Sequence, residues 1–252
     1  MLSSLTAKEV ISYMESLYDE RQRQNLMRFF KTAPGEYGVG DEFLGLKVPQ
    51  TREVVRHVTD LPLNEIPKLL MSRWHEVRLC GFLLLVSRFE KLSTKRLKDD
   101  EQAVCQRDEL VRLYLDYADQ ANNWDLVDLS APKIIGHWLL LPSNVTDKTA
   151  VIDSLAFSQS LWRQRISMVC TWKTTQAGEP TWCLRYAEIH LRHHHDLMQK
   201  ATGWMLRELG KRVSMDMLRD FLMQHVHEMP RTTLRYAIEK MSPQERLYWM
   251  RQ

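Results

Sequence analysis

Five apolar helical segments recur along this chain, and each is opened by a charged residue. They are RLCGFLLLV from Arg78, DLSAPKIIG from Asp128, RISMVCTW from Arg165, KATGWMLRE from Lys200 and RYAIEKM from Arg235. Their starts lie 50, 37, 35 and 35 residues apart. A period near 35 residues holds one helix pair, which cannot bury its apolar face alone and must stack on its neighbours. The recurrence therefore predicts an all-α chain of HEAT-like repeats forming a curved superhelix, an α-solenoid with one helix of each pair lining a concave face. Four of the five repeat starts carry a cation and only Asp128 carries an anion, so the same pattern predicts a basic groove around one carboxylate.

The rest of the chain fits a helical reading, because strand-like alternation is nearly absent. Thr6 stands three residues before Glu9, a capping-box spacing that opens the first helix. Residues 34–49 gather four of the nine glycines and two prolines, which predicts a loop. We read a single repeat domain over 1–252, with N-terminal helices and this loop within 1–60 and stacked repeats over 61–252.

Composition excludes several classes. With 44% hydrophobic and 27% charged residues, the chain has the balance of a soluble globular protein. No apolar run nears the roughly 20 residues a membrane helix needs, and the N-terminus lacks the pattern of a secretory signal. Cys80, Cys105, Cys170 and Cys183 show no CxxC or paired spacing, so they read as reduced thiols of a cytoplasmic protein rather than a disulfide or zinc framework. His193, His194 and His195, read as consecutive helical residues, point about 100° apart and do not form a metal site. The net charge of +3 is small, but residues 160–252 hold 15 Lys+Arg against 9 Asp+Glu. A basic C-terminal half suits an anionic partner such as DNA.

The stretch NNWDLVDLSAPKIIG, residues 122–136, concentrates the chemistry. Val127, Ala131, Ile134 and Trp138 form its core-facing stripe. Trp124 and Asp128, one turn apart, share a face at the edge of that stripe. Asn122 or Asn123 can cap the helix, and Asp125 then sits in the first turn, where a negative charge favours the dipole. Asp128 has no comparable structural reason to be there. Pro132 lacks the amide that would bond the Asp128 carbonyl, so the helix must deform at that point. Trp204 follows Lys200 by one turn on another repeat helix, beside Ala201 and Gly203. Glycine in a helix interior costs about 1 kcal/mol against alanine, so Gly203 predicts a close approach by another backbone or a ligand.

These blocks, together with LWRQRISMV and FLGLKVPQTREVV, closely resemble the AlkD-like DNA alkylation repair family over roughly residues 8 to 245. The resemblance implies a HEAT-like superhelix whose basic concave face grips duplex DNA. It also implies a glycosylase that excises positively charged N3- and N7-alkylated purines. By motif position, the family's catalytic-site tryptophans fall on Trp124 and Trp204, its catalytic aspartate on Asp128, and DNA-contacting basic residues on Arg165 and Arg207. With the repeat cations, the expected phosphate contacts are Arg78, Arg165, Lys200, Arg207 and Arg235.

The implied reaction is consistent with so few groups. Alkylation at N3 or N7 makes the purine a cationic leaving group, so no general acid is required. One carboxylate can stabilise the oxocarbenium character that develops at the deoxyribose. At ~4 Å and an effective dielectric near 20 this is worth roughly 4 kcal/mol, close to a thousandfold in rate. The two tryptophans would add about 0.5–2 kcal/mol each through cation–π contact. The expected protein is a monomer needing no metal or cofactor, which hydrolyses the N-glycosidic bond and leaves an abasic site. A non-catalytic DNA-structure-binding protein and a protein-binding HEAT scaffold are the alternatives.

Overall fold

The computed structural model describes residues 5–252, and among them every regular element is helical apart from an isolated bridge between Glu42 and Trp74. The chain divides into two compact units, one ending at Ser130 and the other beginning at Ala131. Among the described residues, no helix is long and apolar enough to cross a membrane.

The first unit contains α1 (Ala7–Ser16), α2 (Glu20–Phe29), α3 (Val48–His57), α4 (Ile66–Leu70), α5 (His75–Leu92), α6 (Glu101–Asp116) and α7 (Trp124–Ser130). The expected capping box opens α1: Glu9 Oε2 accepts from the Thr6 amide at 2.8 Å, and Thr6 Oγ1 accepts from the Glu9 amide at 3.4 Å. Helix α5 is apolar around its whole circumference from Leu79 to Val86, so it can be stable only as a central rod. Helices α3, α4, α6 and α7 pack around it, and Val77, Cys80, Phe82, Leu84 and Leu85 are fully enclosed.

The glycine-rich segment is a loop, as its composition predicts, but its second half is interior. Phe43, Leu44 and Leu46 are buried. The loop is tied to the first turn of α5 by Glu76, whose carboxylate accepts from the amides of Leu44, Gly45 and Leu46 at 2.8–3.0 Å. Three convergent amides satisfy a buried carboxylate that would otherwise be very costly to enclose. Gly45 makes this possible: its φ of +93° aims the amides, and a side chain there would strike the Asp19 carbonyl.

The second unit begins with a π-helical turn, Pro132–Gly136, followed by α8 (His137–Leu139), α9 (Lys148–Ala156), α10 (Leu161–Val169), α11 (Thr171–Gln176) and α12 (Thr181–Ile189). It continues with α13 (Asp196–Arg212), α14 (Met215–His225), α15 (Arg231–Ala237) and α16 (Pro243–Arg251). The helical deformation expected at Pro132 takes the form of this π turn, with the Gly136 amide bonding the Ala131 carbonyl at 3.0 Å. Helix α13 is the central rod here, contacting α10, α11, α12, α14 and α15. The repeat-bearing helices are neighbours in space, α10 on α13 and α13 on α15.

The structure decides one open sequence expectation and changes another. Gly203 is small because α15 crosses there: a Cβ would collide with the Thr233 carbonyl and Tyr236 Cβ, so the close approach comes from backbone rather than a ligand. The histidine run is not helical. It lies between α12 and α13, where His195 caps α13 by accepting from the Leu197 amide at 3.2 Å.

Candidate active site

Helix α7 buries Leu126 and Val127 completely, which turns Trp124 and Asp128 to its margin, where both are half-buried. This is the edge position predicted from their spacing, and the stripe Val127, Ala131, Ile134 and Trp138 is fully buried. Trp124 and Asp128 line one cavity of about 320 Å³ in the first unit, together with Phe29 at the end of α2, Phe30 just after it, Phe43 from the loop, and Asp125. Phe29 meets Trp124 edge-on with ring centroids 5.7 Å apart, and Phe30 lies tilted against it at 5.4 Å. Phe30 also stacks on Phe43 at 5.2 Å. The result is an aromatic-walled hollow, suited to a flat guest, whose lining holds Glu76, Asp125 and Asp128 together with His75 and Lys47.

A buried charge network fixes this hollow. His75, the first residue of α5, lies between two carboxylates, with Nδ1 2.8 Å from Asp41 Oδ2 and Nε2 2.9 Å from Asp125 Oδ2. With a carboxylate on each nitrogen, both must carry protons, so His75 is an imidazolium. Burial alone would lower its pKa, but the charge and hydrogen bond of Asp125, then those of Asp41, raise it to about 10. Burial pushes Asp41 upward, and His75 and Arg78 more than reverse this, holding it below the usual carboxylate range.

Arg78 completes the network, pairing with Asp41 and donating to Asn122 Oδ1 at 3.0 Å and to the Ser72 and Arg73 carbonyls at 2.8 and 2.9 Å. Two corrections follow. Arg78 is only 4% exposed, so it ties the loop, α5 and the approach to α7 together instead of holding a phosphate. Asp125 is 5% exposed and serves as a His75 partner, beyond the dipole role read from its position.

The remaining cations lie in the second unit. Arg165 is 5% exposed, and its Nη1 donates to the Leu197 carbonyl at 2.6 Å, so like Arg78 it is held inside the fold instead of presented to a phosphate. Lys200 is partly exposed and pairs with Asp196 at 2.6 Å. Arg207 pairs with Glu239 and approaches Glu208 at 3.7 Å. Arg235 is exposed near the end of α15. Trp204 is half-buried on α13. Sequence reasoning missed Phe29, Phe30, Asp41 and His75. The available signal was the His75–Glu76 pair, two ionisable residues just before the long apolar run Leu79–Val86.

Among solved structures, the chain is similar to a predicted DNA alkylation repair enzyme from Enterococcus faecalis. The two share 13% identity over 90% of this chain and 97% of that one, with a TM-score of 0.64, so the likeness speaks for the fold. No curated protein matches the chain in sequence. The family model described as DNA alkylation repair enzyme matches residues 10–241, nearly the whole length, and the chain belongs to that family.

Proposed function

We propose that the protein is a monofunctional DNA glycosylase that hydrolyses the N-glycosidic bond of cationic N3- or N7-alkylated purines in duplex DNA. The observation that carries this reading is the cavity that joins Trp124 and Asp128 to the rings of Phe29 and Phe30. An anion beside π-faces in a partly desolvated hollow favours a planar cation over a neutral base. Family membership supplies DNA as the substrate.

In this reaction water adds to C1′ of the lesion nucleotide as the bond to the purine nitrogen breaks. The bonding electrons go to the purine, which departs neutral, and the water's surplus proton passes to Asp128 or solvent. Asp128 stabilises the oxocarbenium character at the sugar, and Trp124 contributes its ring face. The resemblance assigns Trp204 to the same reaction. The recurring helices are read as HEAT-like repeats that present Lys200, Arg207 and Arg235 to phosphates, giving sequence-independent, salt-sensitive binding. Arg78 and Arg165, both buried, are not in that set.

The test is release of 7-methylguanine from methylated duplex DNA by wild type and Asp128→Asn. At least a tenfold loss is expected, with folding and DNA affinity retained. Equal release by the two proteins removes Asp128 from the mechanism, and DNA binding without any release leaves a non-catalytic DNA-binding protein.

A further inference from the structure

The phosphate contact expected at Arg78 has an exposed counterpart five residues earlier. Arg73 lies in the turn between α4 and α5 with its side chain 65% exposed, and its guanidinium carbon sits 4.2 Å from the centre of the Trp74 ring. That ring is itself fixed. Trp74 Nε1 donates to Glu15 Oε1 at 2.8 Å, and the adjoining backbone bridges to the glycine-rich loop, the His75 amide donating to the Glu42 carbonyl at 2.8 Å. A guanidinium held over an aromatic face is restrained in place while its N–H fork stays open to an oxyanion. Two carboxylates are near. Glu15 is taken up by the indole N–H, and Glu42, 46% exposed, approaches Arg73 Nη1 only to 3.9 Å. Among the described residues the Arg73 side chain donates no hydrogen bond. A solvent-exposed pair at that separation is weak and is readily exchanged for a bidentate phosphate.

The same turn is registered on the candidate active site. Arg78 Nη1 donates to the Arg73 carbonyl at 2.9 Å, while its Nη2 donates to Asn122 Oδ1 at 3.0 Å. One buried guanidinium thus holds the Arg73 backbone beside Asn122, two residues before Trp124 and six before Asp128. We infer that Arg73, held over Trp74, grips a backbone phosphate of the duplex next to the damaged nucleotide, and that Arg78 sets the place of this contact without touching DNA. This deepens the proposed reading of the site and rests on it. A phosphate contact carries no sequence information but fixes the register of the protein on the duplex. Here it would fix the lesion strand against Trp124 and Asp128, with the base taking no part in the contact.

The experiment uses a duplex carrying one N7-methylguanine on a 2′-fluoro sugar, which resists cleavage, so that binding is read without turnover. Arg73 is exposed, and circular dichroism should show Arg73→Gln folded like wild type. The variant should bind this duplex about fivefold or more weakly, with the slope of log K against log salt reduced by about 1. A single uncharged methylphosphonate is then walked through the phosphates flanking the lesion on each strand. One position should weaken wild type about as much as the substitution does and leave Arg73→Gln unaffected. Unchanged affinity and slope in Arg73→Gln overturn the contact. Equal losses in wild type and variant at every methylphosphonate overturn its place beside the lesion. Release of 7-methylguanine from an ordinary methylated duplex is measured separately. Its absence, with the binding results as expected, refutes the glycosylase reading alone, whereas no duplex binding by wild type refutes both.

Discussion

Replacing His75 by Gln should remove a specific pH dependence of stability in the first unit. In the folded protein His75 titrates at about 10, because Asp41 and Asp125 hold its two protons. In the unfolded chain it titrates near the usual ~6.5. Between these values the native state keeps a proton that the unfolded state has released, so stability falls as pH rises, by at most ~1.4 kcal/mol per pH unit. The contribution is complete below about pH 6.5 and lost as pH passes through about 10. From pH 7 to pH 9 the loss works out at about 2–3 kcal/mol. At a urea m-value near 2 kcal/mol/M, that moves the midpoint down by about 1 M. The variant loses this slope, and at pH 7 it should be less stable by about 3–5 kcal/mol, since Asp125 then loses its charged partner and Asp41 keeps only Arg78. Urea titrations followed by circular dichroism at pH 7, 8 and 9 read both effects. Parallel pH dependence in wild type and variant, or a flat wild-type midpoint, would refute the assignment of a buried imidazolium.

Further expectations concern the second unit. His190 is buried and bonds Ser167 Oγ at 2.8 Å; burial and the nearby His193 charge lower its pKa to about 4. It must stay neutral in the fold, so stability should fall on acidification from about pH 6.5 towards 4, and His190→Asn should flatten that limb in acid titrations. Gly203→Ala should destabilise by about 1–3 kcal/mol in thermal melts, because the collision with α15 outweighs the ~1 kcal/mol gained in helix propensity; a raised melting temperature would contradict the packing. Arg235→Gln should weaken duplex binding equally across sequences and reduce the slope of log K against log salt by about 1. An unchanged slope would take Arg235 out of the phosphate contacts.

Local features of the sequence translated directly wherever a single element suffices to define them. The Thr6–Glu9 cap, the loop at 34–49, the deformation at Pro132 and the marginal placement of Trp124 and Asp128 each depend on spacing along one segment. The repeat register likewise anticipated the packing of α10, α13 and α15. The roles of charged residues were less legible. Arg78 occupies the same repeat position as Arg235, yet one is sealed inside and the other exposed. Asp125 and Asp128 sit three residues apart, yet Asp125 anchors a histidine 50 residues upstream.

By itself the sequence determined that the chain is helical, where its helices begin and bend, and which turn of α7 holds the tryptophan–aspartate pair, because backbone sterics and periodicity act over a few residues. Only the tertiary structure decided which cations are consumed internally, that α2 and the glycine-rich loop wall the cavity, and that His75 is locked as a cation. Those outcomes depend on which distant groups share a desolvated space, and there the energy of a charge is set by neighbours that sequence spacing does not reveal.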